Sequence, residues 1–503
     1  MKGSLHPILT CEAAADYEAA VLTDEDAEWE AMSRAGRSLG QRILLDYNEV
    51  RSLPPAPRIL LLLGKGHNSG DACLAADEIL KMVPDAEISL YLLAEEADMR
   101  PLTRRAYDLI ADRAMMADEG MLESYPLEVC IDGLFGMQFR PPLREPARGI
   151  LQGINGNPSV DLRAAVDIPS GLGDPDGFRA DITYATGIAK APIFEETNRE
   201  RVGRIRYLDI GFFPEGGEPF REDAPFLLTP NLLRGIRSLR PAGSDKRSQG
   251  HLFLVAGSRN MPGAMLMCAR AAATAGVGLL TVFGPESMVP YLVGHLPEAM
   301  WVPYPETPGG GLAMEGRREI LRRLDRADAV VFGPGMGREP ETTQLLDDIL
   351  GEIRAPVLLD ADAIQPGVVS AAVNRPKDYG PVVLTPHQGE YERICGRTGP
   401  REFARQTGAV LVLKGPMTRI FCGESCFVSP YGGPILARGG TGDLLAGMIG
   451  ARLASSPEEV LRAACEGVVW HGRSADEWAR ERGSAGVRTT GLLDFLPEGL
   501  FYE

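Results

Sequence analysis

Gly439-Gly440-Thr441-Gly442-Asp443 lies between Ile435-Leu436-Ala437 and the apolar helical run Leu444-Leu445-Ala446-Gly447-Met448-Ile449. Glycine lets a backbone approach a ligand closely, and the first turn of the following helix carries unpaired N–H groups and the positive end of a dipole. The stretch can therefore cradle an anion such as a phosphate. A carboxylate at the mouth of that cradle repels phosphate unless it acts as a base or binds a bridging metal, so Asp443 suggests chemistry. A helix N-cap is the structural alternative.

Outward from this stretch, size and composition narrow the field. At 503 residues the chain is long for one core, and at least two domains are expected. The net charge of −17 argues against a general nucleic-acid binder, while local glycine loops and lysines still allow an anionic small substrate. Eight cysteines without a Cys-x-x-Cys pair or matched histidine spacing read as reduced thiols, and Cys422 and Cys426, the nearest pair, as bland. Residues 1–10 lack a basic segment followed by an apolar core, and no apolar run approaches bilayer length. A cytoplasmic protein without a membrane partner is the expectation.

Upstream of the opening stretch, from Gly250, strand and helix alternate: a strand at His251–Ala256, an alanine-rich helix at Ala264–Ala275, and strands at 279–283, 329–332, 357–359, 382–384 and 410–413. Such alternation indicates a layered α/β domain with a mainly parallel sheet. The strand ends empty into Gly333-Pro334-Gly335-Met336-Gly337, Asp360-Ala361-Asp362, Thr385-Pro386-His387-Gln388-Gly389-Glu390 and Lys414-Gly415-Pro416-Met417-Thr418. The glycine loop permits close backbone approach, or is a tight turn. His387 can donate to a substrate oxygen, Asp360, Asp362 and Glu390 can hold magnesium through water or cap turns, and Lys414 can pair with a diphosphate.

The N-terminal half repeats the theme. Residues 11–47 have helical spacing, with Trp29, Met32, Leu39, Ile43 and Leu44 on a buried face. The apolar run Arg58–Leu63, of the kind expected for a buried parallel strand, leads into Gly64-Lys65-Gly66-His67-Asn68-Ser69-Gly70-Asp71, with a helix expected from Ala72. Strands at 127–131 and 162–166 end in Asp132-Gly133-Leu134-Phe135-Gly136 and Asp167-Ile168-Pro169-Ser170-Gly171. Three polar loops would then share one sheet edge, where doubly wound folds bind ligands. Asn68, Asp132 and Ser170 are hard oxygen donors, better suited to a monovalent or weakly held cation than to zinc.

These N-terminal motifs resemble NAD(P)H-hydrate epimerases, over about residues 24–213. Lys65, His67, Ser69 and Ala72 stand where that family has proline, asparagine, glycine and glycine, and Met32-Ser33-Arg34-Ala35-Gly36 lacks its asparagine. The resemblance implies potassium at Asn68, Asp132 and Ser170. It also places His67, Asn68, Ser69, Gly70, Asp71, Gly136 and Asp167 against the hydrated dinucleotide, with Asp167 catalytic.

The C-terminal motifs, with Val255-Ala256-Gly257-Ser258, Met261-Pro262-Gly263-Ala264 and His471-Gly472, resemble ribokinase-like ADP- or ATP-dependent NAD(P)H-hydrate dehydratases. Arg438, where the family has threonine, is a candidate phosphate contact. The resemblance implies that Ala264, Gly337, His387 and Asp443 contact the hydrated nicotinamide nucleotide. Lys414, Gly415, Pro416, Met417, Thr418 and Gly442 would cradle the adenine nucleotide with magnesium, and Asp443 would be the general base. The implied architecture is a Rossmann-like three-layer domain, residues 1–225, followed by a ribokinase-like α/β domain, residues 226–503. A stretch rich in Pro and Gly (Pro214, Gly216, Gly217, Pro219, Pro230, Pro241, Gly243) is read as the connection. The implied protein is a homo-oligomeric repair enzyme acting on NADHX and NADPHX, the hydrated forms of NADH and NADPH. The competing reading is a vitamin-type kinase with a non-catalytic N-terminal binding or oligomerisation domain, which predicts a stable phosphorylated product.

Overall fold

The computed structural model describes residues 3–213, 224–239 and 241–501. The chain forms two compact units, His6–Gly217 with Ala479–Ser484, and Glu218–Trp478 with Met1–Leu5 and Ala485–Glu503. Of the stretch read as a connection, Pro214, Gly216, Gly217 and Pro219 lie outside the described residues.

The first unit contains β1 (Leu5–Leu9, from His6 onward), β2 (Arg58–Leu63), β3 (Glu87–Leu92), β4 (Ala114–Met116), β5 (Leu127–Gly133), β6 (Val160–Val166), β7 (Ile182–Thr186), β8 (Ala189–Lys190) and β9 (Arg204–Leu208). Seven of them form a parallel sheet in the order β4-β3-β2-β5-β6-β7-β9, and β1 pairs with β8 through Ile8 and Ala189. The reason β2 is apolar from Ile59 to Leu63 is that both of its faces are covered. Ile59, Leu61 and Leu63 join a core with Leu39, Ile43 and Ile79, whereas Leu60 and Leu62 join one with Ile150, Leu151 and Ile154. This alternation is the period-two signature of a three-layer sandwich.

One element differs from its sequence reading. The helix after β2 begins at His67, not Ala72, so Asn68 to Asp71 form its opening turns, with Gly66 at the N-cap. The glycines that suggest a loop serve close packing: a Cβ at Gly70 would fall 2.8 Å from Met32 Sδ, and one at Gly36 would fall 2.3 Å from Leu74 Cβ. The helix Glu25–Tyr47 thereby rests directly on His67–Met82.

The second unit contains β10 (Phe226–Leu228), β11 (His251–Val255), β12 (Leu279–Pro285), β13 (Met300–Tyr304), β14 (Ala329–Phe332), β15 (Val357–Leu359), β16 (Val382–Leu384), β17 (Val410–Leu413), β18 (Thr418–Cys422) and β19 (Ser425–Ser429). Their order is β13-β12-β11-β14-β15-β16-β17-β18-β19-β10, parallel except where β18 pairs antiparallel with β17 and β19. The apolar helix Thr441–Ser455 is buried against Pro262–Thr274, β11 and β14. Gly447 permits this approach, since a Cβ there would lie 2.1 Å from the Cys268 carbonyl oxygen.

Both units are doubly wound, and in each the strand order reverses once near the middle, between β2 and β5 and between β11 and β14. A crevice opens at the carboxyl ends of the strands at such a reversal, and ligands bind there. Most candidate site residues lie just after a strand end; Asp132 lies near the end of β5 itself, Thr418 opens β18, and Gly442 and Asp443 open the helix Thr441–Ser455. All eight cysteines are free, and no helix among the described residues is long and apolar enough to cross a membrane.

Candidate functional site

At the β2/β5 reversal a cavity of about 350 Å³ is lined by His67, Asn68, Asp71, Gly136 and Asp167, together with Glu18, Thr186 and Lys190. Ser69 and Gly70, also expected to face a ligand, do not line it. Ser69 is fully buried, where its Oγ accepts the Gly64 N–H at 2.8 Å and donates to the Gly133 carbonyl at 2.8 Å. It fastens the β2 strand end to that of β5.

Asn68 and Ser170 converge on Phe135, and Asp132 holds the backbone beside them. Asn68 Nδ2 donates to the Phe135 carbonyl at 3.1 Å, and Ser170 Oγ accepts the Phe135 N–H at 2.9 Å. Asp132 accepts the N–H groups of Ser170 at 2.7 Å and Leu134 at 3.3 Å. Burial pushes the Asp132 carboxyl up to about 6 even though the Ser170 bond pulls it down.

Asp167 has φ of +63°, a left-handed conformation rare for a residue with a Cβ. Its Oδ1 accepts from Lys190 Nζ at 2.7 Å. Lys190 is the residue that sequence reasoning missed: it sits in Gly187-Ile188-Ala189-Lys190-Ala191, which carries no motif, and the usual lysine is exposed. Nearby, burial and then Asp167 push the Asp71 carboxyl well above the usual carboxylate range. Burial and then Arg100 push the His67 imidazole below its ordinary value.

The second unit gathers its loops in the same way. Gly333, with φ of +121°, is obligatory because a Cβ there would lie 1.7 Å from the Asp360 carbonyl oxygen. A Cβ at Gly335 would lie 2.9 Å from Ala264 Cβ, which puts the Gly333–Gly337 loop against the start of helix Pro262–Thr274. Asp362 accepts the Gly337 N–H at 3.0 Å and Arg338 Nε at 3.0 Å. Asp360, buried at the end of β15, accepts Lys414 Nζ at 2.8 Å and Thr385 Oγ1 at 2.7 Å. Against the effect of burial, Asp360 holds the Lys414 ammonium above its ordinary value.

Gly440, with φ of +89°, is the N-cap of Thr441–Ser455, and no side chain caps this helix. Asp443 therefore stands in the first turn without the capping role. Its carboxylate makes no hydrogen bond among the described residues, and burial, reinforced by Asp360, pushes it up to about 7. Lys414 Nζ reaches to 3.2 Å from where a Cβ on Gly442 would stand, so the ammonium lies over the helix N-terminus beside Asp443. Gly415 to Met417 turn between β17 and β18, and Thr418 opens β18.

His387 pairs by a β-bridge with Lys414 but spends its ring on a capping box, with Nδ1 accepting the Glu390 N–H at 3.3 Å and Glu390 Oε2 accepting the His387 N–H at 2.9 Å. Arg438 donates to the Ala485 carbonyl at 2.8 Å. His471 is buried, its Nε2 has no partner among the described residues, and burial with the charge of Lys414 pushes it down to about 4, so it is neutral at pH 7. Asp360, Asp362 and Glu390 are each held by protein partners, and no cluster of three acidic, histidine or cysteine ligands forms among the described residues.

Two doubly wound units, each with a titratable carboxylate set into the crevice of its own sheet, make a two-site α/β enzyme. Residues 252–498 match the family model described as NAD(P)H-hydrate dehydratase, and residues 29–191 the one described as YjeF-related protein N-terminus. The bifunctional NAD(P)H-hydrate repair enzyme Nnr of Gloeobacter violaceus is 34% identical over 499 residues, covering 92% of this chain and 93% of that protein. The chain belongs to the family of bifunctional NAD(P)H-hydrate repair enzymes, which join an epimerase to a dehydratase. The Moorella thermoacetica member is 32% identical over 466 residues, covering 88% of this chain and 87% of its own. Among solved structures, the ADP/ATP-dependent NAD(P)H-hydrate dehydratase of Bacillus subtilis, co-crystallised with ATP/Mg2+, is 32% identical and covers 54% of this chain and 96% of its own, with a TM-score of 0.47. Similarity to repair enzymes along both halves leaves the vitamin-kinase reading the weaker one.

Proposed function

We propose that the unit built on β2 and β5 epimerises the R and S forms of NAD(P)HX and that the unit built on β11 and β14 dehydrates the S form at the expense of ADP or ATP. The observation that carries the reading is Asp443, a half-buried carboxylate pushed up to about 7, without a hydrogen-bond partner among the described residues, in the first turn of a helix and beside Lys414. A base with that affinity for protons is half charged at neutral pH, which suits removal of a proton from a hydroxyl.

In this reading Ala264, Gly337, His387 and Asp443 hold the hydrated ring. Lys414, Gly415, Pro416, Met417, Thr418 and Gly442 hold the adenine nucleotide, the helix N–H groups facing its phosphates. Asp443 takes the proton of the added hydroxyl, and that oxygen attacks the terminal phosphorus. AMP leaves if the donor is ADP, or ADP if it is ATP. Loss of phosphate and of a ring proton then restores the reduced nicotinamide. With Asp360, Asp362 and Glu390 engaged elsewhere, these side chains do not form a magnesium cage, and magnesium enters with the nucleotide phosphates.

In the epimerase unit Asp167 is the acid–base group of a cavity lined by His67, Asn68, Asp71 and Gly136. The oxygens of Asn68, Asp132 and Ser170 suit potassium: Asp132 is a fully buried carboxylate with no cationic side chain paired to it among the described residues, and one monovalent cation would balance its charge. Bound there, potassium supplies positive potential near the substrate. The rest of the proposal is a cytoplasmic homo-oligomer, supported by free cysteines and by Met300 exposed on edge strand β13. The test is Asp443→Asn assayed by return of reduced-nicotinamide absorbance from NADHX with ADP, then ATP. Loss of recovery is expected, and full recovery would refute the assignment.

A further inference from the structure

Lys190 is 1% exposed at the end of β8, among the largest fully buried side chains of the unit, yet it also lines the cavity. An ammonium leaves water at a heavy cost unless it is paired and fully hydrogen-bonded. Here Nζ donates to Asp167 Oδ1 at 2.7 Å and to the Thr186 carbonyl at 3.1 Å, with Glu18 Oε1 at 3.6 Å. Glu18 comes from helix Cys11–Val21, Asp71 from helix His67–Met82 and Asp167 from the turn after β6, so acidic groups of three elements face one lysine. Cys11 also faces Asp167 and Lys190, and Cys73 faces Asp71.

The hydrogen bonds on Asp167 are one-sided. Oδ1 takes Lys190 Nζ at 2.7 Å, the Thr186 N–H at 3.3 Å and the Thr186 hydroxyl at 3.4 Å. Oδ2 makes no hydrogen bond among the described residues. Asp167 is held this way on a backbone of φ +63°, a conformation that costs energy and persists only where its surroundings enforce it. A carboxylate anchored by one oxygen, with the other unpartnered at the wall of a cavity, is arranged to exchange a proton with whatever the cavity holds.

Building on the epimerase reading of this unit, we infer that Lys190 is a positioning residue for epimerisation, fixing Asp167 through Oδ1 so that Oδ2 serves the reacting carbon. Lys190 acts through Asp167 and does not itself touch substrate. A lysine that only neutralised buried acid would stabilise the unit equally well with Asp167 in another rotamer. The positioning role instead ties its whole effect to Asp167.

The experiment uses the full chain and a NADHX sample enriched in the epimer that the dehydratase does not accept, and it follows conversion to the other epimer chromatographically. Lys190→Met, Lys190→Gln, Asp167→Asn and the double variant Lys190→Met/Asp167→Asn are compared at temperatures below their measured melting points. Lys190→Met is expected to lower kcat about 100-fold while KM stays within about threefold. Lys190→Gln, which keeps an N–H donor, is expected to lose less, and the double variant to be no slower than Asp167→Asn alone. The double variant also removes both members of the buried pair, so it folds where the single loss of Lys190 leaves a buried carboxylate unpaired. Wild-type kcat in Lys190→Met, a loss confined to KM, or losses that multiply in the double variant would each overturn the inference while leaving the epimerase reading intact. Full activity of Asp167→Asn would overturn the assignment of Asp167 and the inference with it.

Discussion

The two sites share a position in their sheets and differ in how they treat charge. At the β2/β5 reversal Asp167, the carboxylate proposed to work there, is tied by one oxygen to a buried lysine. At the β11/β14 reversal Asp443 has no hydrogen-bond partner among the described residues, and Lys414 is turned instead onto Asp360. The difference follows the chemistry asked of each. In the proposed epimerisation one carboxylate exchanges a proton with a substrate held in a cavity of about 350 Å³, and the lysine fixes where that carboxylate stands. The proposed phosphoryl transfer calls for a base that gains and loses a proton near neutral pH, with backbone N–H groups facing the phosphates.

The largest expected effect breaks the comparison on one side only. Asp443→Asn should lower the dehydration rate by about 1000-fold, whereas epimerisation followed chromatographically should keep its wild-type rate. Equal loss of both would show that the sites are not separate.

The pH dependence sharpens the contrast. With Asp443 pushed up to about 7, dehydration should fall roughly tenfold per pH unit below that value, measured as kcat/KM. Stability moves the other way. Between about pH 4 and 7 the folded chain keeps a proton on Asp443 that the unfolded chain releases, so this contribution is present at low pH and is lost as pH rises through 7. Asp443→Asn should therefore melt with the wild type at pH 4 and above it at pH 8, by on the order of 2 kcal/mol in calorimetry. Identical curves at pH 8 would remove the burial argument.

The smallest effect separates fastening from chemistry in the other unit. Ser69→Ala leaves the buried Gly64 N–H and Gly133 carbonyl without their partner, at a cost of about 1–2 kcal/mol, with KM for epimerisation unchanged. A raised KM in a variant of full stability would place Ser69 against the substrate after all.

What the sequence revealed and what it hid have physical reasons. The apolar run Arg58–Leu63 announced a strand covered on both faces, and Gly439–Asp443 announced a helix N-terminus free for an anion, because both are local patterns. The helix start at His67 was hidden because glycine reads as a loop residue, whereas Gly70 is there to admit Met32. The strand Leu5–Leu9 was hidden because its partner β8 is distant in sequence, and β18 and β19 were hidden because each is short, although they pair with each other across a tight turn. Lys190 gave no signal, since its role arises from Glu18, Asp71 and Asp167, which only the fold brings around it. The positive φ of Asp167 was equally illegible, as nothing in Asp-Ile-Pro-Ser-Gly requires it.

The most direct test of two successive sites in one chain is the absorbance of the reduced-nicotinamide band, followed while an epimer mixture of NADHX is incubated with magnesium, potassium and ADP. The account predicts complete recovery with the wild type. With Asp167→Asn, recovery should be fast until the reactive epimer is exhausted, then slow to the uncatalysed rate of epimer exchange. A wild-type trace that stops at the reactive fraction, or an Asp167→Asn trace that runs to completion at the wild-type rate, would contradict it.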